Sequence, residues 1–308
     1  MNGAIGIRLL AGCLSVLAPD RRAVVVTTDI GNEVDDQWAV AHLVLSHELE
    51  VKGVVTTHAP NLAPPAAETS AKYAHELMSK IPARARVRIL AGSSKPLADA
   101  SKPLANAGVD FLIEQAKGRT PENRLVVVVI GAATDVASAL IVDPTWADRV
   151  SLVAMGFGGY PGGGDPWNVK NDPIAWRVLL DSRAPIVVGD AEITRRVLRM
   201  TPDRAHTLFA TLPEPAPSLL GRFDLWLAAN AKLARSDTGS PIVWPIWDEV
   251  TTAYLLGMAT TETRPRPRLR DDLTFDLANP RGTIEWVTAI DEARLWPDLI
   301  AKIKAAAN

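Results

Sequence analysis

Cysteine is almost missing from this 308-residue chain. Cys13 stands alone, so no intrachain disulfide can form and no cysteine zinc site can be built. Histidine is sparse as well: His42, His47, His58, His75 and His206 are scattered, without the H-E-x-x-H spacing that turns two imidazoles toward one metal. Neither charge is in excess, with 33 basic residues against 35 acidic ones for a net charge of −2. A nucleic-acid surface usually shows as a basic excess, so no nucleic-acid partner is expected. Internal repeats, low-complexity tracts and apolar runs long enough for a stable membrane span are also lacking. What is present is a globular composition, 47% hydrophobic and 22% charged, in a chain long enough to bury a large core. Nine tryptophans point to aromatic-lined pockets or to that core.

Residues 1–22 carry a signal-like pattern. One basic residue precedes the apolar stretch Leu9–Leu17, and Val16-Leu17-Ala18 has the small-residue character of a cleavage site. The segment therefore reads as a short secretory signal, or else as a peripheral N-terminal extension. Export to the periplasm or outside and residence in the cytoplasm both stay open. Residues 23–308 read as one domain, and assembly into a homo-oligomer is left open.

From Ala23 onward strand and helix patterns alternate. Ala23–Thr28, Val51–Thr57, Arg86–Ala91, Leu125–Ile130, Val150–Met155 and Pro185–Val188 are short apolar or β-branched runs. Helical spacing appears over Asp36–Leu49, Ala66–Ile81 and Thr134–Ile141, from about Asp172, and later over Leu219–Leu233 and Trp247–Met258. Two further strands are predicted at Leu273–Leu277 and Thr283–Ile290, before a terminal helix. Fully apolar strands separated by helices predict an α/β fold, a mostly parallel central sheet with helices on both faces. Ligands in such sheets bind beyond the carboxyl ends of the strands.

The sharpest chemistry sits at one of those ends. T-T-D-I-G-N-E-V-D-D, Thr27 to Asp36, places Asp29, Glu33, Asp35 and Asp36 directly after the first strand. One acid at a helix start is explained by the helix dipole, a term of roughly 0.3–1 kcal/mol. Four acids crowded together raise one another's pKa, and a hard divalent cation, whose preferred ligands are carboxylate oxygens, accounts for them better.

The motif resembles the D-x-D-x-x-x-D-D signature of the inosine–uridine-preferring nucleoside hydrolases, calcium-dependent N-glycosidases. Asp29 matches its second aspartate, and Asp35 and Asp36 its closing pair. Thr27 replaces the first aspartate, and five residues rather than three separate Asp29 from Asp35, as in a branch of the family with a longer loop. Four more segments follow in the family's order. Thr56–Asn61 resembles T-T-x-x-G-N, which gives Asn61 a ribose contact. Gly131–Ala137 resembles G-P-L-T-N-L-A, in which the threonine carbonyl, here that of Thr134, binds calcium. Trp167–Pro173 resembles F-N-x-x-x-D-P, making Asn168 a sugar ligand, and Trp247-Asp248 stands where the family has His-Asp, making Asp248 the last calcium ligand. Local roles compete with each: Asn61 fits a turn, Thr134 and Asp248 fit helix starts, and Trp167 and Trp247 fit a core. Asp172, before Pro173, and Asp190 read as helix N-caps.

The resemblance implies a Rossmann-like core and a hydrolase cleaving the N-glycosidic bond of a ribonucleoside or related riboside. Ca²⁺ would sit on Asp29, Asp36, Asp248 and the Thr134 carbonyl, with Asp29 as general base. Asp35, Asn61 and Asn168 would hold the sugar, and Trp167 and Trp247 would face the substrate. Two departures bear on the leaving group and the 5′ end. Trp247 replaces a histidine that assists departure of the base, and Pro166 replaces a glutamate that binds the 5′-hydroxyl. The alternative reading is a non-catalytic, calcium-dependent carbohydrate- or nucleoside-binding protein. A metal-dependent phosphotransfer enzyme ranks last, since no P-loop accompanies the acids.

Overall fold

The computed structural model describes residues 21–164, 167–238 and 242–307. Residues 1–20, most of the expected signal segment, and Pro166 lie outside the described residues. Six strands run in parallel: β1 (Arg22–Thr28), β2 (Leu49–Thr56), β3 (Arg88–Ala91), β4 (Leu125–Ile130), β5 (Val150–Met155) and β6 (Ile186–Gly189). A short antiparallel pair, β7 (Arg199–Met200) and β8 (Trp244–Pro245), lies outside this sheet. β9 (Ala259–Pro265) forms the far edge, the pair β10 (Arg268–Leu269) and β11 (Phe275–Asp276) stands apart, and β12 (Thr283–Ile290) returns to the sheet. The spatial order is β3-β2-β1-β4-β5-β6-β12-β9, with only β9 antiparallel to its neighbour.

β4, Leu-Val-Val-Val-Val-Ile, is buried at every residue because helices cover both faces of the sheet. Val24 and Val26 of β1 pack on one side with Trp38 and Leu43, whereas Val25 packs on the other with Val127, Val129 and Trp146. This is the period-two alternation of a strand placed between two apolar layers. From β1 the chain winds one way to β2 and β3, and from β4 the other way, so the strand order reverses between β1 and β4. That reversal opens a crevice at the carboxyl ends of the two strands, where open α/β sheets bind their ligands.

Several predicted elements differ. Leu273–Leu277 contributes only Phe275–Asp276, paired with β10 outside the main sheet. Its strand pattern is real but too short to join the larger ladder. The run Leu219–Leu233 belongs to two helices, Ala216–Ala229 and Ala231–Thr238, that part at Asn230. The first helix ends at Leu45 rather than Leu49, and Leu49 opens β2. Among the described residues no helix is long and apolar enough to cross a membrane.

Candidate active site

The loop after β1 is shaped by two small residues. Gly31 has φ +101°, and a Cβ there would lie 2.1 Å from Tyr73 Cδ2, so both conformation and space demand glycine. At Gly131, just past β4, a Cβ would lie 2.6 Å from the Asp29 nitrogen and 2.8 Å from Thr57 Cγ2. The ends of β1 and β4 can close on each other only because this side chain is missing. Thr28 ties the loop down: its hydroxyl accepts from the Ile30 N–H at 3.1 Å and donates to Asp36 Oδ1. Thr27, at the position of the motif's first aspartate, instead donates to the Val128 carbonyl of β4 at 3.1 Å.

Asp35 and Asp36 open the helix Asp35–Leu45, and Asp248 immediately precedes the helix Glu249–Leu255. None of the three carboxylates makes a side-chain cap bond, and although Asp35 and Asp36 lie in a first turn, where the helix dipole favours an acid, that does not account for their crowding. All three are buried, and each offers an oxygen within 4.8 Å of the others. Asp29 is buried beside them. Burial, then the charges of Asp36, Asp35 and Glu33, push its pKa well above the ordinary carboxylate value. Asp36 and Asp248 are pushed the same way, by burial and then by Asp35 first among their charged neighbours. Asp35 rises from 3.8 to about 6, chiefly through burial. Backbone N–H groups and the Thr28 hydroxyl compensate these desolvated carboxylates only in part, and protons or a cation would supply the rest. Hard, anionic oxygens with no nitrogen or sulfur among them suit a divalent cation of the calcium or magnesium type.

The acids line a cleft that also takes in Trp167, Asn168 and Trp247. The Asn168 amide donates to the Met155 carbonyl at the end of β5, at 3.1 Å, which fixes the residue at the strand end. Trp247 is half-buried on the cleft wall and meets the buried Trp244 edge to face. Two of the expected residues stand away from the cleft lining. Asn61 is exposed, and its backbone N–H donates to Oδ1 of the lining residue Asn32 at 3.3 Å. Thr134 is buried behind the site; its hydroxyl donates to Asp172 Oδ2 at 2.7 Å and lies 2.9 Å from His58 Nε2. Because that hydroxyl spends its proton on Asp172, it accepts from His58, which fixes the imidazole as the Nε2–H tautomer.

Asp172 and Asp190 do cap helices, accepting from Ala175 N at 2.9 Å and Ile193 N at 2.8 Å. Each does more than cap. Asp172 Oδ2 also takes the Leu97 N–H, and Asp190 Oδ2 takes the Trp286 indole N–H at 2.6 Å. The residue that sequence reasoning missed is Arg195, in the last turn of the helix Ala191–Val197. It lines the cleft with its guanidinium carbon 5.4 Å from the Trp247 ring centroid. Its place in the first helix beyond the β6 strand end was the available signal.

Fold and cleft together define an α/β protein with a carboxylate site at the switch point of a parallel sheet. The sequence model of the inosine-uridine preferring nucleoside hydrolases matches residues 24–296, and the chain belongs to that family. It is accordingly a hydrolase of N-glycosyl bonds, with ribonucleosides as its substrate class. No curated protein sequence gives a significant match. In structure the chain is similar to a plant nucleoside hydrolase, with TM-score 0.71 and 18% identity over 93% of this chain and 100% of that one. A purine-preferring ribonucleoside hydrolase from Gardnerella vaginalis gives 0.71 and 19%, over 93% and 99% of the two chains. The inosine-uridine preferring nucleoside hydrolase from Bacillus anthracis gives 0.65 and 17%, over 92% and 99%. At these identities the likeness is one of fold.

Proposed function

We propose that the enzyme is calcium-dependent and that Asp29 takes the proton of the attacking water. The observation that carries this reading is the set of four buried, mutually repelling carboxylates at the β1/β4 crevice. Asp29, Asp36 and Asp248 would hold Ca²⁺ together with the Thr134 carbonyl, and Asp35 belongs to the same carboxylate group. Bound there, the ion would neutralise the acids and favour the ionised form of a coordinated water.

The protein's own groups account for the rest. Asp29, at the end of β1, would accept the proton as water oxygen attacks the anomeric carbon. The C1′–N bond breaks, its electron pair leaves with the base, and the sugar passes through an oxocarbenium-like state. Asp35 and Asn168, at the cleft wall, would hold the sugar hydroxyls and so fix the ring for reaction, with Asn61 at the rim.

The test is a panel of nucleosides and p-nitrophenyl riboside, assayed for sugar release after chelation and after calcium is restored. Release that disappears on chelation and returns with calcium is expected. Activity indifferent to chelation would remove the metal from the proposal, and undiminished release by Asp29→Asn would remove the base.

A further inference from the structure

The acidic cleft carries one cation. Among its described lining residues Arg195 is the single basic side chain, set against Asp29, Glu33, Asp35, Asp36 and Asp248. Its guanidinium lies over the Trp247 ring, 5.4 Å from the centroid. Trp247 is in turn supported from behind. It meets Trp244 at 5.8 Å and 85°, and Trp244 packs on Trp226 at 4.5 Å. An exposed arginine is thus seated on a ladder of three indoles, the first of which, Trp247, immediately precedes Asp248 in the chain. A guanidinium over an indole face is attracted by the ring quadrupole, which restricts an otherwise flexible side chain.

We infer that Arg195, held by Trp247, meets the departing base and stabilises it as an anion. The inference rests on the hydrolase reading above. When the C1′–N bond breaks, its electron pair stays on the base nitrogen, and something must compensate the charge. Indole has no proton to give near neutral pH. Arginine does not give one either, since its pKa exceeds about 12, but it presents a fixed fork of N–H donors with a full positive charge. A donor aimed at developing negative charge contributes about 10²–10³ in rate where the bound base and the tryptophan rings around it exclude water. Trp247 then acts as a positioning residue, and Arg195 is the group that touches the leaving base. A donor-only fork pairs with an acceptor edge, as it does with the carbonyl oxygen and ring nitrogen of a 6-oxopurine, and sets donor against donor at a 6-amino group. Carbonyl-bearing bases are those of inosine and uridine, the nucleosides preferred in this family, and Arg195 is assigned as the residue that reads the carbonyl.

The test compares inosine, adenosine and p-nitrophenyl riboside across wild type, Arg195→Lys, Arg195→Met, Trp247→Ala and the Arg195→Met/Trp247→Ala double variant. Arg195→Met is expected to lower kcat for inosine by about 10²–10³. The p-nitrophenyl substrate, which leaves readily as an anion, should lose no more than a few-fold. The inosine-to-adenosine ratio should collapse, and Arg195→Lys should fall between, keeping the charge without the fork. Once Arg195 is gone, Trp247→Ala should cost little more, because residues acting as a unit are not additive. Thermal unfolding of each variant with and without calcium separates lost function from lost fold. Equal losses on inosine and p-nitrophenyl riboside, a change in KM alone, or additive single variants would each overturn the inference and leave the hydrolase intact. A wild type that binds these ribosides and cleaves none would overturn the hydrolase reading itself, and this inference with it.

Discussion

The acid cluster makes a quantitative prediction about pH and metal. In the metal-free protein Asp35 holds its proton up to about 6 rather than 3.8, and Asp29, Asp36 and Asp248 are shifted in the same direction. A carboxylate with a raised folded pKa stabilises the fold when protonated. That contribution is complete below the unfolded value and is lost as pH climbs through the folded one. For Asp35 the rise from 3.8 to about 6 is roughly two units, about 3 kcal/mol in all. Around half of it disappears between about pH 5 and about pH 7.5. The four acids titrate as a coupled set, so their shares do not simply add. At roughly 2 °C per kcal/mol for a chain of this size, Asp35 alone lowers Tm by about 3 °C over that interval. Calcium at a hundredfold excess over Kd should return about 2.7 kcal/mol. It must compete with protons for the same oxygens, so its effect should be larger at the higher pH. The assay is thermal unfolding of chelated and calcium-saturated protein at both pH values, with Asp36→Asn as control. A calcium shift in Tm that is absent, or equal at the two pH values, would refute the argument; so would an undiminished shift in Asp36→Asn.

Three other outcomes follow from particular contacts. Asp29→Asn keeps size and an oxygen but loses the base, so turnover should fall by about 10²–10⁴ with much weaker effects on nucleoside affinity, measured by steady-state kinetics and calorimetry. His42 is fully buried between Glu249, 3.0 Å from Nδ1, and Asp298, 2.8 Å from Nε2. Burial pulls its pKa down, but Glu249 and Asp298 outweigh that and raise it above 6.5. Its stabilisation should be complete below 6.5 and fade as pH rises through the raised value. His42→Gln should cost about 3–5 kcal/mol in denaturant unfolding near neutrality, because Glu249 is left buried without its charge partner. Gly131→Ala places a methyl against the Asp29 backbone, and unfolding should show a loss of about 1–3 kcal/mol together with reduced activity.

Legibility followed the kind of interaction that holds each part. Strands buried on both faces announce themselves: the aliphatic run of β4 has no other use in a globular chain. β9, Ala-Thr-Thr-Glu-Thr-Arg-Pro, carries no such signal because it is a largely exposed edge strand. Its pairing with β12 supplies what its composition does not. The helix Ala107–Gln115 escaped for a related reason. It is short, and its second residue, Gly108, is a weak helix former that is needed because a Cβ would come within 2.5 Å of Val55.

The site divides along the same line. Asp29, Asp35 and Asp36 are contiguous with a strand end, so their crowding is visible as sequence. Asp248 joins them only through folding, and the resemblance rather than any spacing pointed to it. Arg195 had a sufficient local explanation, a cation in the last turn of a helix, where the dipole favours it. Nothing in a one-dimensional pattern says that its guanidinium rests on the ring beside Asp248. Asp172 shows the limit from the other side. A cap before a proline is written in four consecutive residues, and one carboxylate oxygen does cap. The second oxygen joins Thr134, 38 residues away, to Leu97, 75 residues away. Local pattern fixes what a residue does for its own helix. What the same side chain does for the site depends on partners that the sheet order alone brings near, and a polar residue with an adequate local role is therefore not excluded from a second one.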